Sequence, residues 1–397
     1  MLSAYKYRIY PNSGQEMRLK RSPLLLSNLY NKLRARKIEE YKEHRISLKQ
    51  NDLRTIALEY RKRNIEFKSV YSQVAQNVAD RVHAAFGNYF GGRARFPKVK
   101  QPRKYLSLTY PQSGFEFNEG RLCLSKIGRV RIFLHRAMQG TVQRLTIKYE
   151  AGEWYAIFLT EKAALAKPKI NRILGRKIRG ADLGLEKFAT LDNAESVEYQ
   201  AFLRKSEGKI KRLQRRLSKK HKGSKRWNAT CFSLARLHQH VSRQREDFQN
   251  KLIAEIYKEN DVLVLEKLNV ENLLQNHSLA KSITDASFSK FIRKAVFKAE
   301  MLGKHFIAVD PWGTTQFCYH CLEWVPKDLS EREHKCQECG IELSRDLNSA
   351  KLIKRLGILS LRVSPPSDGG LSPAELKPLP SLRRMVSRGV EAGSPRL

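Results

Sequence analysis

The chain of 397 residues has few acidic side chains, few cysteines and no long apolar segment. Its 39 Asp and Glu residues face 76 Lys and Arg residues, so the formal net charge is +37. This excess predicts a polyanionic partner, nucleic acid before any other. The longest apolar run, residues 154–159, has six residues, far short of the ~20 that cross a bilayer, and the N-terminal sequence lacks the apolar core of a signal peptide. We therefore expect a soluble protein of the cytoplasm.

Six cysteines in a chain of this length do not make a disulfide scaffold, and four of them are grouped. Two pairs, each with two residues inside, are separated by fourteen residues: Cys318, Cys321, Cys336 and Cys339. Four thiolates at this spacing can surround one tetrahedral Zn²⁺, and with no ligand position left for a substrate the ion should be structural. His320 and His334 lie beside these pairs and are expected to stay out of the ligand set. The single Cys123 and Cys231 are expected to be packed or idle thiols.

A hydrophobic content of 41% excludes general disorder and predicts two to four domains. Residues 1–100 read as helical and basic, with a short strand at 4–10 and helices at 24–41, 51–63 and 69–89. In the last helix, apolar residues recur every four positions from Val70 to Phe86, which indicates a buried stripe. After residue 92 the pattern changes to short alternating segments at 105–110, 115–117, 121–124, 130–133, 142–149 and 154–161, typical of a small antiparallel barrel or sheet.

The second half of the chain begins after a linker at 163–175 and opens with a strand, turn and strand between residues 177 and 191. Residues 204–226 hold twelve Lys or Arg and one acidic residue, Glu207, a density that favours phosphate contact. A long helix follows and leads into an apolar strand at 261–266. Residues 362–397 are rich in Pro, Ser, Gly and Arg, and we expect a disordered tail there.

Three carboxylates stand at the ends of regular elements. Asp182 ends a strand in GADLG, Glu266 ends the apolar strand, and Asp346 lies at a predicted helix start in SRDLNSA. Hydrolysis of a phosphodiester by two metal ions needs several carboxylates at one point, and strand ends plus a helix start can supply them. Each carboxylate alone is a weak signal, but their combination with the basic charge points to nucleic-acid chemistry.

These residues, in this order, resemble the RuvC-like core of TnpB, the OrfB-type transposon-encoded RNA-guided DNA endonucleases related to type V CRISPR effectors. The resemblance runs through GADLGL at 180–185, LEKLNV at 265–270, DAS at 285–287, Asp310, the two cysteine pairs and RDLNSA at 345–350. It is strong over residues 175–356 and looser before them. Many relatives have Gly directly after the second cysteine of the first pair, where this chain has Leu322.

The resemblance implies a multidomain α+β fold with assigned domains. These are a wedge β-barrel (1–10 and 91–162), a helical recognition domain (11–90), an RNase H-like RuvC α/β nuclease core (175–310 and 343–361), an inserted zinc ribbon (311–342) and the tail (362–397). Asp182, Glu266 and Asp346 would be the catalytic residues and would hold two Mg²⁺ ions; Asp310 is better read as a strand-end or capping residue. One structural Zn²⁺ completes the cofactors.

The same resemblance implies a guide RNA from the transposon end and a double-stranded DNA target with a short adjacent motif. A monomer is expected, with a dimer as the alternative, in a prokaryotic cytoplasm and associated with the nucleoid. The candidates for reading the motif are Tyr71, Ser72, Gln73 and Gln76. Candidates for backbone contacts are Arg93, Arg95, Lys98, Arg103, Lys211, Arg212, Arg215, Arg216, Lys219 and Lys220.

Two other functions stay open from the residues. One is a guided DNA-binding repressor that does not cut, which the intact set of carboxylates disfavours. The other is a transposase that performs strand transfer at transposon ends, since RNase H-like folds host both reactions. A plain zinc-ribbon DNA-binding factor is the weakest reading, because it leaves the carboxylates without a role.

Overall fold

The computed structural model describes residues 1–118, 120–169, 173, 177–328 and 330–363. The chain folds as two units, Met1–Ala163 and Ala164–Leu397. The predicted tail lies outside the described residues from residue 364 onward, as does part of the predicted linker. No helix within the described ranges is long and apolar enough to cross a membrane.

The first unit begins with a strand and four helices. Their bounds are β1 Leu2–Tyr10, α1 Ser13–His44, α2 Gln50–Arg63, α3 Ile65–Lys68 and α4 Ser72–Phe90. Helix α1 begins well before the predicted residue 24, because Asn12 and Gln15 form a capping box. Pro23 lies inside this helix and removes one of its backbone hydrogen bonds without ending it.

Six further strands complete the first unit, with bounds β2 Ser107–Tyr110, β3 Phe115–Asn118, β4 Arg121–Leu124, β5 Gly128–Phe133, β6 Thr141–Glu150 and β7 Glu153–Glu161. They form one antiparallel sheet in the order β2-β6-β7-β1-β5-β4-β3, so the N-terminal strand lies at its centre. Val74, Val78 and Val82 of α4 are buried in one core with the sheet, as the stripe predicted.

The predicted closed barrel is wrong. In the described part of the chain, β2 pairs with β6 and β3 pairs with β4, and these two outer strands do not pair with each other. Both outer strands have four residues. Short edge strands are one way in which open sheets limit unwanted pairing, and closure would require a matched tilt and stagger of all strands.

The second unit is built on a mixed sheet flanked by helices. Its strands are β8 Ile178–Leu183, β9 Lys187–Leu191, β10 Ser196–Glu198, β11 Val262–Glu266, β12 His305–Val309, β13 Glu333–Lys335 and β14 Glu342–Ser344. Its helices are α5 Phe202–Ser218, α6 Lys225–Glu259, α7 Val270–Gln275, α8 Ala280–Ala286, α9 Phe288–Leu302 and α10 Arg345–Val363. Five strands form a sheet in the order β10-β9-β8-β11-β12, while β13 and β14 form a separate ladder.

Strand β11 is buried on both faces of this sheet, as its apolar sequence predicts. Leu263 and Leu265 pack with residues of α6 and α9, whereas Val262 and Val264 pack with Ile353 of α10 on the other face. Helices therefore cover both sides of the strand that ends in Glu266.

Candidate functional site

The pairing of β8 with β11 brings two of the predicted carboxylates together. The two strands are parallel, and Val264 lies opposite Gly180. Continuing this register by two residues places Glu266 opposite Asp182. Side chains two residues apart share a face of a strand, so Asp182 follows Gly180 and Glu266 follows Val264 on the face covered by α10.

Two glycine contacts bring α10 close to that face. A Cβ atom on Gly180 would lie 2.4 Å from the Ala350 carbonyl oxygen, and one on Gly357 would lie 2.6 Å from the Val264 side chain. One helical turn before Ala350 stands Asp346. This turn advances about 6 Å along the helix, and the step from Gly180 to Asp182 advances about 6 to 7 Å along the strand. The close approach therefore delivers Asp346 to the other two carboxylates.

A partly buried ion pair fixes α10 at this position. Lys354 Nζ lies 2.7 Å from Asp192 Oδ2, and the Asp192 side chain also accepts a hydrogen bond of 3.1 Å from the Gly180 backbone N–H. Arg179 Nη1 lies 3.5 Å from Asp192 Oδ1. Asp192 thus joins α10 to the strand that carries Asp182, and sequence patterns alone gave no sign of this role.

The three carboxylates influence one another electrostatically. Burial raises the pKa of Asp182 well above its ordinary value, and the negative charges of Glu266 and Asp346 raise that pKa further. The Arg345 guanidinium opposes the rise, and its Nε lies 3.7 Å from Asp346 Oδ1. Three half-buried carboxylates with one adjacent guanidinium leave uncompensated negative charge, which suits divalent cations with a preference for oxygen ligands.

Thr314 is a site residue that the sequence did not reveal. Its buried hydroxyl donates a hydrogen bond to Glu266 Oε1. Burial raises the pKa of Glu266, and the Thr314 hydroxyl opposes that rise. Thr314 therefore orients the Glu266 carboxylate. No local sequence pattern around an isolated threonine predicts this role.

Asp310 follows β12, the strand next to β11. Its side chain is exposed and accepts a hydrogen bond of 2.9 Å from the Trp312 backbone N–H. The structure thus gives Asp310 a contact that caps a turn, at the same sheet edge as Glu266.

The four grouped cysteines converge on one point. Their Sγ atoms all lie within 4.8 Å of one another, with Cys318 and Cys339 at 3.7 Å and Cys321 and Cys336 at 3.5 Å. Zn–S bonds of ~2.3 Å in a tetrahedron require about 3.8 Å between sulfurs, so the cluster fits zinc. Among the described residues this is the one converging group of three or more His, Cys, Asp or Glu side chains. The three carboxylates are spread more widely than these four thiols.

The leucine that replaces the glycine of many relatives leaves the first cysteine turn intact. Leu322 has φ of 63° and Gly340, at the matching position after the second pair, has φ of 70°. Both backbone N–H groups return to the first cysteine of their pair, Leu322 to the Cys318 carbonyl at 3.0 Å and Gly340 to the Cys336 carbonyl at 2.9 Å. Leu322 thus adopts the left-handed conformation that glycine favours, and its side chain is buried with Phe317.

The two histidines near the cysteines have no place in the converging group. His320 is exposed. His334 is fully buried, and its Nδ1 lies 2.9 Å from Lys327 Nζ. Cys123 and Cys231 are isolated and half-buried.

Comparison with known proteins gives three family matches. Residues 168–277 match OrfB_IS605, described as "Probable transposase"; residues 288–353 match "Cas12f1-like, TNB domain"; and residues 1–45 match "Helix-turn-helix domain". These matches make the chain similar to the transposon-encoded OrfB (TnpB) proteins. The resemblance predicted from the motifs is confirmed. In this structure, residues 1–45 fold as the strand β1 and the single long helix α1.

Two curated relatives cover most of the chain. One from Streptomyces pristinaespiralis, named "Putative RNA-guided DNA endonuclease", is 29% identical over 366 residues and spans 89% of each chain. InsQ of Escherichia coli K12, with the same description, is 26% identical over 377 residues and spans 90% of this chain and 92% of its own. A solved structure, the Cas12f1-sgRNA-target DNA complex, matches the fold with a TM-score of 0.55 at 12% identity, over 86% of this chain and 82% of its own.

The predicted phosphate contacts on α5 form a basic face. An open groove of about 410 Å³ is lined by Gly208 and five cations, Lys211, Arg212, Arg215, Arg216 and Lys219. Lys220 differs from them, since its Nζ lies 2.5 Å from Thr230 Oγ1 on α6 and 3.3 Å from the Arg226 carbonyl. Lys220 therefore links the two helices.

The candidates near the start of α4 are engaged within their own unit. The Tyr71 hydroxyl lies 3.0 Å from Ser113 Oγ, and Gln73 accepts a hydrogen bond of 2.9 Å from the Ser113 backbone N–H. Ser72 and Gln76 are half-buried. Tyr71 and Gln73 thus hold the turn between β2 and β3, a contact that the sequence did not predict. Of the other candidates in this unit, Arg93, Arg95, Lys98 and Arg103 are exposed.

Proposed function

We propose that this protein is an RNA-guided DNA endonuclease that hydrolyses target DNA with Mg²⁺ held by Asp182, Glu266 and Asp346. The observation that carries the proposal is the meeting of three half-buried carboxylates at the ends of β8 and β11 and the start of α10. The names of the two curated relatives support guided DNA cleavage, and the fold shared with the Cas12f1 structure is consistent with it.

The donor set fits the proposed ions, because all three side chains offer the hard oxygen ligands that Mg²⁺ prefers. When bound, Mg²⁺ would polarise the phosphate and lower the pKa of a water molecule. Residues of the chain hold the three carboxylates in position. Thr314 orients Glu266, and Asp192 and Lys354 hold α10. Burial, together with the negative charges of Glu266 and Asp346, raises the pKa of Asp182, a rise that a bound cation would oppose.

The remaining assignments belong to the same proposal. The β-rich part of the first unit would be the wedge and its helices the recognition domain. The mixed sheet of the second unit would be an RNase H-like core, with a ribbon around one structural Zn²⁺ held by the four cysteines. Guide RNA and target DNA would bind basic surfaces such as α5, where protein contacts to phosphate leave sequence reading to base pairing. The protein would act as a monomer on the nucleoid of a prokaryotic cell.

The test is cleavage by protein purified with co-expressed transposon-end RNA, on a guide-matched plasmid in Mg²⁺. Asp182→Ala should reduce cleavage to background with RNA binding intact. Asp310→Ala is the matched control, because it removes a carboxylate at the same sheet edge that only caps a turn. We expect that control to cut like the wild type.

Three outcomes would replace the proposal. Guide-dependent DNA binding without cleavage by the wild type would indicate a repressor. Cutting at transposon ends without RNA would indicate a transposase. Undiminished cleavage by Asp182→Ala would remove the three carboxylates from the reaction.

A further inference from the structure

The end of helix α4 carries aromatic side chains that the fold leaves exposed. Tyr89, Phe90 and Phe96 are 39%, 73% and 43% exposed, whereas Phe86, one turn earlier, is buried. The ring centroid of Tyr89 lies 5.3 Å from that of Phe90 and 5.2 Å from that of Phe96. The three rings of Tyr89, Phe90 and Phe96 therefore form one surface, here called the aromatic platform. Contiguous exposed apolar surface marks an interaction site more often than isolated exposed residues do.

The aromatic platform has a fixed support. Phe96 packs edge-on against the buried ring of Phe86, with centroids 5.6 Å apart. Arg34 Nε on α1 donates a hydrogen bond of 2.7 Å to the carbonyl of the buried Pro97. Asn31 exchanges two hydrogen bonds with the backbone of Lys100, at 2.9 and 2.8 Å. Because the loop is tied to α1 at Pro97 and Lys100, directly after Phe96, a ligand would find the Phe96 ring already in place.

The charge around the aromatic platform is of one sign. Residues 86–104 contain six Lys or Arg and no Asp or Glu. Arg93, Arg95 and Lys98 are exposed beside the rings, and the Arg34 guanidinium lies 5.7 Å from the centroid of the Phe96 ring. Within the described part of the chain, none of the six cations of this segment forms an ion pair. Their charge is left for a ligand.

We propose that the aromatic platform stacks unpaired nucleobases while Arg93, Arg95 and Lys98 contact the phosphates on either side. Every nucleobase has an apolar face that can stack on Tyr or Phe, and every nucleotide adds a phosphate for a nearby cation. Paired bases inside a helix do not expose those faces, so the ligand is a single-stranded stretch or an open helix end. An apolar protein surface would not match six unpaired cations. The proposal rests on the proposed function, in which both guide RNA and opened DNA offer unpaired bases.

The test compares oligonucleotides that have bases with one that has none. The probes are fluorescent oligouridine, oligothymidine and an abasic oligodeoxynucleotide, each of about twelve nucleotides, titrated with the full-length protein. Phe90 is the residue to change, since it is the most exposed ring and contributes little to the core. Phe90→Ala should weaken binding of the two base-bearing probes about tenfold, within the range for loss of one base-aromatic stack. Phe90→Leu should weaken it almost as much, and Phe90→Trp should retain it.

The controls separate stacking from charge and from folding. Binding of the abasic probe should be the same for all Phe90 variants, because it depends on phosphate alone. Ile65→Ala, which removes a side chain that is 84% exposed on α3, should bind every probe like the wild type. A larger effect of Phe90→Ala on oligouridine than on oligothymidine would assign the platform to RNA, and the reverse would assign it to DNA.

Three results would overturn the inference. In the first, Phe90→Ala binds the base-bearing probes as tightly as the wild type. In the second, Phe90→Ala weakens binding of the abasic probe as much as it weakens binding of the base-bearing probes. A wild-type dimer that sedimentation shows to be lost in Phe90→Ala would make the platform a contact between copies of the chain. If the wild type bound none of the probes, the proposed function would fail and this inference with it, whereas wild-type binding unaffected by Phe90→Ala would overturn the platform alone.

Discussion

Asp285 on α8 ties three helices together through a single buried carboxylate. Its side chain is 1% exposed and accepts hydrogen bonds from Arg245 Nη2 at 2.6 Å and Nε at 3.0 Å. It also accepts from the backbone N–H groups of Leu203 at 3.0 Å and Arg204 at 3.3 Å, in the first turn of α5. Asp285 therefore satisfies two N–H groups that a helix start leaves without an intrahelical partner.

Replacing Asp285 by alanine should destabilise the second unit strongly. The change leaves the guanidinium of Arg245, itself only 19% exposed, without its counterion, and removal of one partner of a buried ion pair costs about 3–5 kcal/mol. At ~1.4 kcal/mol for each factor of ten, amide exchange at Leu203 and Arg204 should become at least about a hundredfold faster. Hydrogen exchange measured by mass spectrometry across residues 202–218 reads this locally.

The matched control is Asp247→Ala on α6, which breaks the exposed pair of Asp247 with Lys251 at 2.8 Å. Such exposed pairs contribute little to stability because solvent screens their charges, so exchange should barely change. The variant Asp285→Ala/Arg245→Ala should lose less stability than the two single changes summed, because the two residues share one interaction. Loss of less than about 1 kcal/mol in Asp285→Ala would refute the reasoning, since the carboxylate would then be dispensable.

Gly180→Ala should push α10 away from β8, because the new Cβ would meet the Ala350 carbonyl oxygen. We expect the free energy of unfolding to fall by about 1–3 kcal/mol and cleavage to be lost. Gly208 has open space around it, so Gly208→Ala should instead stabilise α5 by about 0.5–1 kcal/mol. Thermal melting and plasmid cleavage measure both variants. Equal melting temperatures and equal cleavage for the two variants would contradict the close contact between Gly180 and α10. Leu322→Gly should relieve about 1–2 kcal/mol of strain from the left-handed backbone conformation, but it removes a buried side chain that contributes about 2–5 kcal/mol. Denaturation should therefore show a net loss of stability. A net gain of stability would mean that the strain is the larger effect. Asp182→Asn should raise the melting temperature in Mg²⁺-free buffer. Because the folded-state pKa of Asp182 is raised, its contribution to stability is complete below the ordinary carboxyl pKa and is lost as pH rises through the raised value. The advantage of Asp182→Asn should therefore grow as the pH rises from the ordinary carboxyl pKa through the raised value, and a constant difference would contradict the shift.

Strong local patterns in the sequence predict several elements of this protein correctly. The buried stripe of α4, the apolar strand β11 and the paired cysteines depend on residues close together in the chain, so periodicity and spacing suffice to predict them. The short motifs around Asp182, Glu266 and Asp346 also sufficed to predict the family, and each of these carboxylates stands at the element end where the pattern placed it.

How those elements meet depends on contacts that form only in the folded chain. Whether seven strands close into a barrel depends on the tilt and stagger of all of them, and no segment carries that information. Thr314 and Asp192 are ordinary residues in sequence, and their roles come from partners 48 and 162 residues away. The family resemblance included Asp285 in one of its motifs, but it did not indicate that Asp285 anchors helices. That role depends on Arg245, which lies on another helix. Contacts between residues far apart in the chain arise when the core packs, which is why local patterns predict the parts of this protein better than their junctions.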